Sequence, residues 1–209
     1  MPGNRAMSVR LFGDDVVEFQ RLLKSAGLLK SGIDGVWGSQ TEKAATAFEE
    51  FFKAIRAQFG AFDARSESMI ATLHPRAQEL ARRSLAVIRK GGIDARVISG
   101  TRSYLEQNKL FAKGRFGNPP PIVTNARGGQ SNHNFGIAWD IGIFDASGKY
   151  LEDSPLYAKA GKIAIAAHIE HLEWGGNWTS FTDRPHYQHA TGLTISQVRS
   201  RFEAGEKIV

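Results

Sequence analysis

The apolar and polar positions of this chain fall into helical and strand-like periods separated by clear punctuation. From Ser8 to about Lys53 the pattern predicts two helices around a glycine-rich turn. Val16, Phe19, Leu22 and Leu23 recur at helical spacing and Ala26-Gly27 supplies a stop, while Ala44, Ala45, Phe48 and Phe51 or Phe52 line the second helix. Between them Gly35 and Gly38 permit a tight turn and Ser39 can cap the second helix. No Pro/Gly/Ser linker marks the next boundary, which we set near residue 60. His74 to Lys90 reads as an amphipathic helix, with Ala77, Leu80, Ala81, Leu85 and Ile88 on one side, Pro75 in its first turn and Gly91-Gly92 at its end. Asp94 to Ser99 is β-branched and alternating, hence a strand, and Ser103 can cap a helix ending near Gly114.

The stretch GNPPPIVTNARGGQ is Pro- and Gly-rich and predicts an irregular surface loop of the kind that rims active sites. In the second strand Ile137, Trp139, Ile141 and Ile143 alternate with Ala138, Asp140 and Gly142, so Asp140 shares a face with small residues that leave room beside it. Asp145 to Gly148 is a turn signal, Ser154-Pro155 opens a helix to about His171, and Gly175-Gly176 breaks the chain again. A strand from about His186 to Ala190 and a helix from Ser196 to about Ala204 complete the pattern. There are no internal repeats.

Composition narrows the chemistry. A chain of 209 residues can bury a core without staples, and the absence of cysteine leaves any metal to His, Asp or Glu. With 27 Lys+Arg against 21 Asp+Glu, the net charge of +6 favours a polyanionic partner: nucleic acid, anionic lipid or anionic cell wall. No long basic run appears and the aromatics sit in core patterns, which argues against a nucleic-acid groove. MPGNRAMSVR lacks an apolar signal segment, and no stretch approaches the ~18 apolar residues of a membrane span. The expectation is synthesis in the cytoplasm without a signal peptide, with release by something else if the protein acts outside it.

His133 and Asp140, in SNHNFGIAWD, are candidate metal ligands. Seven residues apart, they would face opposite ways on one continuous strand, so His133 must lie in the preceding loop with Gly136 bending the chain back over Asp140. DRPHYQH offers a third ligand, His186, on an approach stiffened by Pro185. Two imidazoles and one carboxylate leave a tetrahedral zinc one open position for water, whose pKa falls toward neutrality and whose proton a nearby carboxylate can take. Asp183 and Glu173 compete for that base role, and proximity to His186 favours Asp183. Arg102 can reach the same pocket and stabilise an oxyanion. Ser131 and Asn132 can orient the loop. His168 and His171, with Glu170 between them at the end of a predicted helix, form a rival site; His189 is expected on the surface or behind the site. Trp174 and Trp178 read as core or rim packing.

Two resemblances add to these readings. FQRLLKSAGL followed by IDGVWGSQTEKAATAFEEF resembles the small three-helix peptidoglycan-binding domain of cell-wall hydrolases, through Asp34, Gly35, Trp37, Gly38 and Thr41. SGTRSYLEQNKLFAKGR, VTNARGGQSNHNFGIAWDIGIF and LEWGGNWTSFTDRPHYQH resemble the three motif blocks of the M15 zinc peptidases, with Ser131, His133, Gly136, Ala138 and Asp140 meeting the S-x-H-x-x-G-x-A-x-D block in full. That likeness implies His133, Asp140 and His186 as zinc ligands, Asp183 as base and Arg102 as the arginine that contacts substrate or transition state. Aspartate at the base position is typical of the endopeptidase branch, which includes phage endolysins. His171 stands where a glycine is expected before L-E-W-G-G.

The reading is an α+β protein: a small antiparallel sheet with flanking helices carrying a zinc site, preceded by a small helical-bundle module. Residues 1–60 form a peptidoglycan-binding domain and 61–209 the peptidase. Catalysis is assigned to Asp183 and Arg102, support to Glu173 and Ser131, and substrate contact to Arg102, Gln107 and Trp37. The activity expected is Zn²⁺-dependent cleavage of the stem peptide of peptidoglycan at L-Ala–D-Glu, by a monomeric phage or prophage endolysin acting in the periplasm after release, with no nucleic-acid partner. The alternatives are a D-alanyl-D-alanine carboxypeptidase and a non-catalytic wall-binding protein.

Overall fold

The computed structural model describes residues 15–209, which form α1 (Val16–Ser25), α2 (Ser39–Phe59), α3 (Ala64–Ile70), α4 (Pro75–Lys90), β1 (Asp94–Ser99), α5 (Tyr104–Ala112), β2 (Ala138–Phe144), β3 (Tyr150–Leu151), α6 (Leu156–Ala166), β4 (Leu172–Trp174), β5 (His186–His189) and α7 (Ile195–Ala204). The expected helix start at Ser8 and the reading of MPGNRAMSVR lie outside those residues. Side-chain caps account for several boundaries. Asp15 and Asp63 accept from the N–H groups of Glu18 and Ser66 at the starts of α1 and α3. Ser103 with Glu106, and Thr194 with Gln197, make reciprocal capping boxes on α5 and α7.

Contacts divide the chain into two units. Among the described residues, the first takes in 15–48, Thr101–Gly136 and Gly192–Ile208. Its buried apolar residues include Phe19, Leu22, Leu23, Phe48, Phe135 and Phe202. Here the D-G-x-W-G-x-x-T turn is organised by Gln20, which the sequence pattern did not single out. Gln20 Nε2 donates to Asp34 Oδ1 at 2.8 Å and Thr41 Oγ1 at 3.0 Å, while its Oε1 accepts the N–H groups of Asp34 and Gly35. One buried amide thus satisfies groups at both ends of the turn, and Trp37 stacks on Phe19 at 5.8 Å.

The second unit takes in Glu49–Gly100 and Ile137–Thr191, with Val209. It holds the antiparallel sheet, in the order β1-β2-β5-β4 with β3 paired to β2. Apolar faces of α4 and α6 pack with it, burying Leu80, Leu85, Ile88, Val97, Trp139, Ile141, Ala164 and Tyr187. Buried Arg82 makes a two-pronged ion pair with Glu67 and donates to the Gly60 carbonyl, tying α3 to α4.

The fold class and the boundaries of β1 and α4 are as expected. Four elements differ. Short α3 and two- or three-residue β3 and β4 carry too little periodicity to read, and α6 stops at Ala166, short of His171. His168 and His171 adopt φ of 49° and 63°, incompatible with a continuing right-handed helix. No helix among the described residues is long and apolar enough to cross a membrane.

Candidate metal centre

His133 lies in a 3-10 turn over Asn132–Phe135. Ser131 Oγ accepts the His133 N–H at its start, and Gly136, at φ 71°, ends it in a left-handed conformation that suits glycine. This is the bend that the His133/Asp140 spacing required. Two further bonds hold the turn: Arg102 N–H donates to the His133 carbonyl at 3.0 Å, and buried Asn134 donates to the Arg102 carbonyl at 3.0 Å. Phe135 anchors it against Phe202, ring centroids 5.2 Å apart.

Asp140 sits in β2 directly opposite His186 of β5 in the strand register. His133, Asp140 and His186 each offer one ligand atom, and these atoms lie within 4.8 Å of one another. His186 Nδ1 is 3.2 Å from Asp140 Oδ1, close to the ~3.3 Å between neighbouring ligand atoms of a tetrahedral site with bonds near 2.0–2.1 Å. His133 and His186 are buried. Burial disfavours the charged form of His186, but the Asp140 carboxylate, with Gln188 and Asp183, outweighs it and raises the pKa above the usual histidine value. Two nitrogen donors and one carboxylate, without thiolate, fit zinc with a position left for water. These three residues can hold a metal ion.

The other residues singled out in the sequence make bonds of their own. Asp183 is partly exposed; its N–H donates to the Gly175 carbonyl at 3.0 Å and its carbonyl accepts the His186 N–H at 3.3 Å, so the loop before β5 is fixed at both ends. Glu173 accepts from Trp178 Nε1 and Gln188 Nε2. Trp178 leans on His186 at 5.0 Å between ring centroids, and Trp174 is core, donating to the Arg184 carbonyl. Arg102 Nη1 donates to Oε1 of buried Gln107, whose Nε2 donates to the Ala126 carbonyl.

Three expectations change. His168 and His171 are exposed residues beyond the end of α6, and among the described residues they join no metal-binding trio. His189 is buried, stacked on His171 at 5.1 Å and bonded through Nδ1 to the Ala190 carbonyl; burial lowers its pKa. The space beside Gly142 is filled by Ile98, Tyr150 and Phe144 rather than left open. Gln188, whose Oε1 meets His186 Nε2 at 3.0 Å, was missed, although its position two residues along a strand places it on the same face as His186.

A family model described as a D-alanyl-D-alanine carboxypeptidase of the M15 group matches residues 124–189, and one described as a peptidoglycan binding domain matches residues 12–54. The chain is 32% identical over 146 residues to the peptidoglycan L-alanyl-D-glutamate endopeptidase CwlK of Bacillus subtilis, a match spanning 66% of this chain and 86% of that protein. The chain belongs to the M15 peptidase family. Among solved structures, the L-Ala D-Glu endopeptidase ChiX of Serratia marcescens is 26% identical with a TM-score of 0.49, covering 66% of this M15 chain and 92% of that one. M15 peptidases are zinc-dependent in general, and the donor set of His133, Asp140 and His186 suits that metal.

Proposed function

We propose that this chain is a zinc-dependent peptidoglycan hydrolase that cuts the stem peptide between L-Ala and D-Glu. The observation that carries the reading is the convergence of His133, Asp140 and His186 in a chain of the M15 family. CwlK, whose name states that bond, supports the choice of bond. Bound at these residues, zinc would supply an acidified water and a Lewis acid for the scissile carbonyl. Asp183, three residues before His186, is the base toward the attacking water and hands its proton to the leaving amine. Arg102 faces the negative charge that develops on the carbonyl oxygen, and Gln107 holds the guanidinium in place. Ser131 supports the site by capping the turn that carries His133.

We further assign residues 1–60 to wall binding, with Trp37 as a contact, and residues 61–209 to the peptidase. The matches over 12–54 and 124–189 support that division. The protein is a monomeric endolysin of a phage or prophage, reaching the wall after release from the cytoplasm; its cationic charge suits an anionic wall. The description of the matching family model favours a second reading, removal of terminal D-Ala. Mass spectrometry of digested, purified peptidoglycan separates the two. A new D-Glu amino terminus is expected, and loss of terminal D-Ala alone would overturn the endopeptidase assignment.

A further inference from the structure

His186 is engaged at both ring nitrogens. Nδ1 lies 3.2 Å from Asp140 Oδ1, and Nε2 lies 3.0 Å from Gln188 Oε1. The Gln188 amide is engaged in turn. Its Nε2 donates to Glu173 Oε2 at 3.0 Å, and the other Glu173 oxygen accepts from Trp178 Nε1. Glu173 and Gln188 are direct cross-strand partners in β4 and β5, so the backbone register itself sets this row of side chains.

The direction of each bond is set by the one before it. A carboxylate can only accept, so Glu173 draws the NH₂ end of Gln188 toward itself. The Gln188 oxygen is thereby turned to His186, and a carbonyl oxygen also only accepts, which places the imidazole proton on Nε2. The lone pair of a neutral ring is then on Nδ1, on the side of Asp140.

We infer that Glu173 and Gln188 are positioning residues: a relay of hydrogen-bond polarity that fixes His186 as the Nε2–H tautomer, so that it meets the metal through Nδ1. The inference rests on the metal-centre reading of His133, Asp140 and His186. It gives Glu173 a task distinct from that of Asp183, since both Glu173 oxygens are already accepting N–H groups from the protein.

Glu173→Gln tests the relay, because it keeps the shape and reverses the polarity. Trp178 can only donate and takes the new amide oxygen, leaving the NH₂ group toward Gln188. Gln188 then turns its oxygen to that group and its own NH₂ to His186, which drives the ring proton to Nδ1. Two readouts are made on the full chain, neither of them activity. Proton–nitrogen correlation NMR of metal-free protein at mildly alkaline pH, with His186 assigned by its loss in His186→Ala, is expected to show Nε2–H in the wild type and Nδ1–H in Glu173→Gln. Zinc affinity, measured by competition with a chromophoric chelator, is expected to fall about 10–100-fold in the variant. The double variant Glu173→Gln/Gln188→Glu returns an acceptor to His186 and is expected to restore both, which also guards against a single variant that folds poorly.

An unchanged tautomer and unchanged zinc affinity in Glu173→Gln would overturn the relay, all the more clearly if hydrolysis were abolished, because Glu173 would then act on the reaction directly. A wild-type chain that shows the Nε2–H tautomer yet binds no zinc would instead overturn the metal-centre reading and leave the relay standing.

Discussion

Gly175→Ala isolates the contribution of the loop that carries Asp183 to His186. A Cβ built at Gly175 would lie 2.6 Å from the Asp183 carbonyl oxygen and 3.2 Å from His186 Cβ. Ordinary contact begins about 0.8 Å farther out, and the obstacle is backbone, which cannot swing aside as a side-chain tip does. The same carbonyl accepts the His186 N–H, and the Asp183 N–H is bonded to the Gly175 carbonyl, so the displacement passes to both residues. A shift of that size in a base or ligand costs on the order of 10²-fold in rate, while overpacking one methyl costs about 1–3 kcal/mol of stability. Gly32→Ala, outside the wall-binding turn motif and with nothing within 4 Å of an added Cβ, is the matched control. Rates of amine release from purified peptidoglycan should therefore fall about 100-fold in Gly175→Ala and stay at the wild-type level in Gly32→Ala. Full activity in Gly175→Ala, with unfolding midpoints shifted or not, would refute the claim that this close approach positions Asp183.

Other perturbations probe the remaining parts. Asp183→Asn should lower turnover by about 10²–10⁴-fold while zinc content stays at the wild-type level, whereas His186→Ala should lose both; loss of zinc in Asp183→Asn would mean the residue serves the metal rather than the water. Burial, helped by nearby Asp15, raises the Glu18 carboxyl from 4.5 to about 7, against a bond from the Tyr104 N–H. Between those values the folded chain keeps a proton that the unfolded chain releases, so this contribution to stability is complete below about 4.5 and lost as pH rises toward 7. Glu18→Gln should flatten denaturation midpoints across that window and, after allowing for solvent screening, stabilise the neutral protein by about 1 kcal/mol; an unchanged pH profile would contradict the assignment.

How far the sequence reaches depends on what each element is made of. β1 and α4 were legible because β-branched alternation and a helical apolar stripe are sustained over their whole length. β3 and β4 have no room for a period, and α3 is held by the Asp63 cap and the Glu67–Arg82 pair rather than by an apolar face. The end of α6 was misjudged because left-handed His168 and His171 are unusual for non-glycine residues. The expected glycine at position 171 carried that information: its place is a φ of 63°. In the site, the spacing across Gly136 made His133 and Asp140 candidates, and the resemblance to the M15 motif blocks made them ligands. The pairing of His186 with Asp140 needed strand register, which no local pattern contains. Gln188 was overlooked because an amide in a strand looks like surface, although the period of two already placed it beside His186.

The proposed function requires His133, Asp140 and His186 to hold the metal that makes this chain a peptidoglycan hydrolase. Its most direct test is stoichiometric: strip the purified full-length chain with chelator, titrate Zn²⁺ back, and follow solubilisation of purified peptidoglycan. Hydrolysis should be absent after stripping, recover until it saturates at one equivalent per chain, and fail to recover in His133→Ala, Asp140→Ala or His186→Ala. Undiminished hydrolysis by the stripped chain, or full recovery in any of those three variants, would contradict it.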